Sequence, residues 1–176
     1  MNVTEAISRK RAVRTFAQKP LPEEVVKTIL WAGRRAQSSK NTQPRFFIAV
    51  QKRETLEAIA KMGDFASWLP GAAFCVLILT PDPTQRWSIM FDAGQAAAYM
   101  QLAAVELGVA SCLITLHHPE PARDLFGFPP ELELNAAIAF GYPADSGAFE
   151  SASRPGGRRP MDEIAHFEHW TNKEDN

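Results

Sequence analysis

Two cysteines in 176 residues, Cys75 and Cys112, are too few for a disulfide scaffold. Each lies in or beside an apolar run and neither belongs to a C-x-x-C or zinc-like spacing, so both read as reduced packing residues. Long hydrophobic runs are missing as well. Nothing approaches the eighteen or more apolar residues of a spanning helix, and the amino-terminal stretch lacks the apolar centre of a secretory signal; a cytoplasmic location without membrane contact is the expectation. Charge of one sign is also lacking, since 19 Lys and Arg stand against 20 Asp and Glu for a net charge of −1. Nucleic-acid binders carry a basic surplus, so that class is excluded. Glycine is absent where a nucleotide loop needs it: no G-x-G-x-x-G joins a strand to a helix, and no P-loop or G-x-S-x-G occurs. Of the four histidines, His117 and His118 adjoin, and His166 and His169 lie one helical turn apart. No cysteine and no second carboxylate-rich helix completes a coordination set, so no metal is expected.

What the chain does have is apolar material, 45% of its residues, enough for the core of one domain over residues 1–176. Thr4 is placed to cap a short helix over residues 5–9. Pro22, followed by Glu23 and Glu24 and then by Val25, Val26, Ile29 and Leu30 at helical spacing, predicts an amphipathic helix ending near Ala36. Phe46–Val50 reads as a strand and residues 53–62 as a helix. Residues 72–79 are continuously apolar between turn signals, the pattern of a central buried strand. Residues 88–107 form a helix apolar nearly all round, with Gly108 at its C-terminal cap, a pattern that calls for burial on more than one side and suggests a dimer helix. A short strand over 109–114, a helix over 121–126 closed by Gly127, and a last strand over 135–141 complete the pattern. Residues 144–157 read as an exposed loop, and 162–170 as one or two turns of amphipathic helix. The elements predict mixed α and β structure around one sheet.

Two motifs stand out against this background. The first is Lys10-Arg11-Ala12-Val13-Arg14-Thr15-Phe16, and the second is Ser38-Ser39-Lys40-Asn41-Thr42-Gln43-Pro44. A charge run alone is more often a solvated face than a site. In this order and register, however, the two resemble the front end of the FMN-dependent nitroreductase family, and guanidinium and ammonium groups are suitable donors to a dianionic phosphate. Asp124-Leu125-Phe126-Gly127, Phe140-Gly141-Tyr142-Pro143 and Arg158-Arg159-Pro160 fall in matching order further along. The chain also departs from the pattern. Ala12 stands at a position usually held by Ser, Lys10 replaces the usual first Arg, and Arg45 takes a place commonly held by an aromatic residue.

The resemblance implies an α+β, nitroreductase-like fold with a central, mostly antiparallel sheet flanked by helices. It implies an interlocked homodimer, with a tail from about residue 144 to 176 extended over the partner. FMN would lie at the subunit interface. Lys10, Arg158 and Arg159 would clasp the phosphate, Arg11 and Ala12 would be cofactor-binding positions of the same basic run, and Arg14 would lie beside N1 and O2 of the ring. Ser38, Ser39, Asn41 and Gln43 would approach from the other chain, and Leu113, Thr115 and Leu116 would pass the O4 and N5 edge. No side chain is expected to titrate in the redox step; NADH or NADPH would deliver hydride to the flavin, leave, and be replaced by a nitroaromatic, a quinone or another flat small-molecule acceptor. Phe65, Trp68, Trp87 and Phe91 are candidate walls for that pocket, although aromatics at such spacing are more often core. A protein that stores or senses FMN without turnover is the alternative that Ala12 leaves open.

Overall fold

The computed structural model of the chain describes residues 1–150 and 157–170. Strands Phe46–Val50 (β1), Phe74–Pro81 (β2), Ala110–Ile114 (β3) and Leu132–Gly141 (β4) form one antiparallel sheet in the order β1-β2-β4-β3. Helices Val3–Arg9 (α1), Glu23–Arg35 (α2), Arg53–Ala60 (α3), Ser88–Glu106 (α4) and Ala122–Phe126 (α5) flank it. The α+β architecture expected from the sequence is the one observed.

The continuous apolar run of β2 is explained by its position. It has strand neighbours on both sides and packing on both faces, so seven successive residues are buried. Alternation divides its side chains between two cores. Cys75, Leu77 and Leu79 join Phe16, Leu56 and Ile59 on one face, while Phe74, Val76 and Ile78 join Val26, Ile29 and Met100 from α2 and α4 on the other. Phe74 stacks on Phe140 of β4 at 4.8 Å between ring centroids. At the sheet centre, burial pushes the Cys75 thiol up to about 12. Both cysteines are free and buried.

Several sequence expectations need correction. Asn2, not Thr4, caps α1: its side chain accepts from the Glu5 N–H at 2.9 Å while Glu5 accepts from the Asn2 N–H at 3.0 Å, a reciprocal box that places the helix start at Val3. Strand β4 begins at Leu132 rather than Asn135, because a bulge opposite Ile78 and Leu79 lets the strand pass Asn135; that amide donates to the Thr80 hydroxyl at 2.7 Å. The helix expected over 162–170 is only a 3-10 turn at Met161–Glu163. Phe149 is buried, so the loop begun at Ala144 is not uniformly exposed; residues 151–156 lie outside the described residues. Gly108 and Gly127 do end α4 and α5, both with positive φ.

Helix α4 packs with one side on α2 and β2. Its other side leaves Trp87, just before its start, and Met90, Phe91 and Tyr99 exposed, while α1 meets the far end of α4, where the amino terminus pairs with Glu106 at 3.6 Å. Among the described residues, no helix is long and apolar enough to cross a membrane.

Candidate functional site

The basic segment after α1 owes its place to the edge of the sheet. Ala12 forms a parallel bridge with Ser111 of β3, and the Val13 N–H donates to the Ser111 carbonyl at 3.1 Å. Farther on, the Ala17 N–H donates to the Tyr142 carbonyl at 2.8 Å, and the Ala144 N–H donates back to the Thr15 carbonyl at 3.1 Å. Buried Phe16 anchors the segment against Gly141, where an added Cβ would stand 2.9 Å from the Phe16 ring. A cleft of about 420 Å³ is lined by residues 11–15 together with Ala144, Asp145 and Ala148.

Lys10 and Arg14 both act electrostatically on the Cys112 thiol, whose ionisation burial makes harder and these two cations make easier. Lys10 itself is held below its ordinary value, first by partial burial and then by the charge of Arg158; Cys112 opposes the shift. Lys10 thus feels the charge of Arg158 from far along the chain. No carboxylate of a described residue forms an ion pair with Lys10, Arg14 or Arg158. Such convergence of like charges raises the energy of the protein alone and suits a polyanion. A phosphorylated ligand such as FMN fits this chemistry. Arg11 differs, since its guanidinium donates to the Ser8 and Lys10 carbonyls at the end of α1, at 2.6 and 3.0 Å. Arg159 follows Arg158 on the surface.

Leu113 on β3 and Thr115 just beyond it are exposed, and Leu116 is half-buried. The following loop is tied to the chain after α3: the His117 and His118 N–H groups both donate to the Met62 carbonyl, at 2.8 and 3.0 Å, and Asp64 lies 3.4 Å from His118. Gly63 permits this approach, because a Cβ there would sit 2.7 Å from the Thr115 carbonyl oxygen. The same loop carries Trp68, whose ring lies 5.9 Å from the Arg14 guanidinium.

The second motif is built elsewhere. Its turn holds Lys40, Asn41 and Gln43 at positive φ, which side-chain-bearing residues seldom adopt. Hydrogen bonds hold it there. The Ser39 N–H donates to both oxygens of buried Asp92 on α4, at 3.2 and 3.1 Å. The Gln43 N–H donates to the Ser38 hydroxyl at 2.9 Å, and Arg86 to the Thr42 hydroxyl at 2.7 Å. Arg45 follows the turn, its N–H donating to the Gln43 carbonyl at 2.8 Å. Buried, it donates to the Ala36 and Arg34 carbonyls at the end of α2, and burial lowers its proton affinity while Asp92 raises it. A larger cleft, about 500 Å³ and mostly apolar, lies between α2 and β1, lined by Trp31, Gln43 and Phe47 among others. It contains neither Lys10 nor Arg14.

Sheet register separates the two motifs within one chain. The turn leads into Phe46, which aligns through Leu79 with Leu134 on β4, whereas Ser111 aligns with Phe140. Three strand spacings from β1 to β3, a fourth to the Ala12 bridge and about five residues along place them at diagonal corners, roughly 25 Å apart. The pairings Trp68 with Arg14 and Asp92 with Ser39 were missed by sequence reasoning. Asp92 carries a signal, as the one charged residue between Ser88 and Val105 in an apolar helix; the sequence marks Trp68 only as a candidate pocket wall.

The chain matches the model of the Nitroreductase family over residues 7–142. A protein of Archaeoglobus fulgidus, provisionally named an NADH dehydrogenase/NAD(P)H nitroreductase, is 29% identical over 155 residues, spanning 83% of this chain and 88% of its own. The FMN reductase [NAD(P)H] of Bacillus subtilis is 23% identical and spans 98% of this chain and 76% of its own. Among solved structures, an FMN-dependent nitroreductase of Clostridium difficile superposes with a TM-score of 0.83 at 23% identity, covering 95% of this chain and 99% of its own. The match spans both motifs and all four strands, and the chain belongs to the nitroreductase family.

Proposed function

We propose that this chain is an FMN-dependent oxidoreductase that takes electrons from NADH or NADPH and passes them to a flat acceptor such as a nitroaromatic or quinone, working as a homodimer with two equivalent sites. The observation that carries this reading is the diagonal separation of the two motifs, together with a cation cluster that no described carboxylate neutralises. One chain supplies only half of the donor set. A second copy related by a twofold axis would bring the turn of one protomer to the cations of the other. The exposed apolar side of α4, with Trp87, Met90 and Phe91, is a surface suited to that contact.

In this arrangement Lys10, Arg158 and Arg159 hold the phosphate; Arg11 and Ala12 belong to the same cofactor-binding run, Arg11 with its guanidinium turned back on the end of α1 and Ala12 offering no hydroxyl. Arg14 lies by N1 and O2, and Leu113, Thr115 and Leu116 border the O4 and N5 edge. Ser38, Ser39, Asn41 and Gln43 come from the partner. Residues 1–176 act as one domain; of the tail expected from about 144 over the partner, Phe149 stays in this chain's own core and Arg158 acts on this chain's own Lys10, so any crossing onto the second protomer is made by the rest of it. Bound FMN would supply the hydride-accepting and hydride-donating centre. The protein orients the donor and acceptor in turn, and Arg14 places a fixed positive charge where the reduced ring becomes negative. Exposed Phe65 is a wall against which a flat acceptor can stack.

An anaerobic absorbance titration of the purified protein tests this. A yellow protein that bleaches with NADH or NADPH, and recovers with a quinone or nitroaromatic, is expected. A yellow protein that stays oxidised would favour FMN storage, and a chain that takes up no FMN would overturn the reading.

A further inference from the structure

We propose that Trp68 sets the position of the Arg14 guanidinium and, through it, the reduction potential of the bound flavin; the second half of this inference rests on the FMN reading above. Arg14 is exposed, makes no ion pair with a described carboxylate, and has a long side chain with many rotamers to choose from. A free guanidinium would spread over solvent, where salt screens its effect. What restrains it is the indole face, 5.9 Å from centroid to guanidinium carbon, within the range of cation–π attraction.

Trp68 is itself fixed on two sides. Its indole N–H donates to the Phe65 carbonyl at 2.7 Å, and its ring packs at 6.3 Å and 45° on Phe16. Phe16 is buried and bridges to Pro143 at the end of β4. A chain of contacts thus runs from the rigid sheet through Phe16 and Trp68 to Arg14. A charge placed before the reaction costs no reorganisation when negative charge develops on the ring, whereas a mobile one must be collected each time. Trp68 is accordingly a positioning residue, acting through Arg14 without touching the reacting atoms.

The test uses FMN-loaded protein and compares Trp68→Leu, Trp68→Phe, Arg14→Ala and the double variant Arg14→Ala/Trp68→Leu. Potentials are measured by dye equilibration, and FMN dissociation constants by fluorescence. Trp68→Leu should make the two-electron potential more negative by about tenfold in the equilibrium constant, ~30 mV. Trp68→Phe, which keeps a ring face for the cation, should recover most of that shift. In the Arg14→Ala background, Trp68→Leu should move the potential no further. An equal shift with and without Arg14, or none from Trp68→Leu where Arg14→Ala does produce one, overturns the proposal while leaving the FMN reading intact. If the native protein takes up no FMN, the claim about potential falls together with that reading. The stack is then decided on the FMN-free chain by a urea-unfolding cycle of the same variants. A coupling of about two- to fivefold in the unfolding constant is expected, and none would overturn it.

Discussion

Lys10 and Arg14 flank the same buried thiol, yet they carry different consequences. Lys10 is partly buried beside Arg158, so its proton is held less tightly than in an ordinary lysine. A dianionic phosphate needs the charged form and would restore that proton affinity. FMN should therefore bind fully while Lys10 is protonated, and should loosen as pH rises through the lowered value of the free protein, below the usual 10.5. Fluorescence titrations between pH 7 and 10.5 check this, and Lys10→Arg should flatten the profile. Arg14 is predicted to act on the redox step instead. Arg14→Ala should slow flavin reduction, by about a hundred- to a thousandfold as for loss of an oxyanion-type donor, with a smaller loss of FMN affinity; Lys10→Ala should do the reverse. Equal effects of the two in stopped-flow and binding measurements would show that the roles are misassigned.

At the scale of elements, the loop after α3 and the segment after β3 behave as one unit. Both His117 and His118 hang on the Met62 carbonyl, and Gly63 presses on the Thr115 carbonyl. Gly63→Ala places a methyl group against backbone that no side-chain rotation can relieve. A stability loss of about 1–3 kcal/mol is expected in urea unfolding. Because Thr115 and Leu116 are proposed to border the ring, FMN affinity should fall as well. An unchanged affinity with the stability loss would separate this loop from the site. Much of the element pattern could be read from the residues: β1 and α2 appeared where the periodicity put them, and the apolar run of β2 announced its central place. The end of the chain could not be read this way. Residues 162–170 show helical spacing of apolar groups, but Ile164, Phe167 and Trp170 are exposed and, among the described residues, no helix forms beyond Glu163. Short amphipathic patterns acquire helical stability only from a surface to pack on.

On the scale of the whole molecule, the outer side of α4 is where assembly should be decided. Phe91→Glu puts a charge into that apolar surface and should shift the protein from dimer toward monomer in analytical ultracentrifugation, with loss of yellow colour in parallel. A monomeric variant that kept FMN would sink the shared-site reading. Truncation after Gly147 removes Arg158 and Arg159 and should also release the cofactor; retained colour would reduce these arginines to surface charge.

The sequence alone determined the family, because the basic run and the Ser-Asn-Gln-Pro turn are local patterns of residue type, and it determined the central strand, because burial on two faces leaves a continuous apolar run. Only the tertiary structure decided which groups meet. It put Lys10 within the field of Arg158, set Trp68 beside Arg14, hung the turn on Asp92, and gave the Arg45 guanidinium to the end of α2. It also placed the two motifs at opposite corners of one sheet. Long-range partners depend on strand order and register, which follow from how the faces pack together, and no local spacing of residues encodes that.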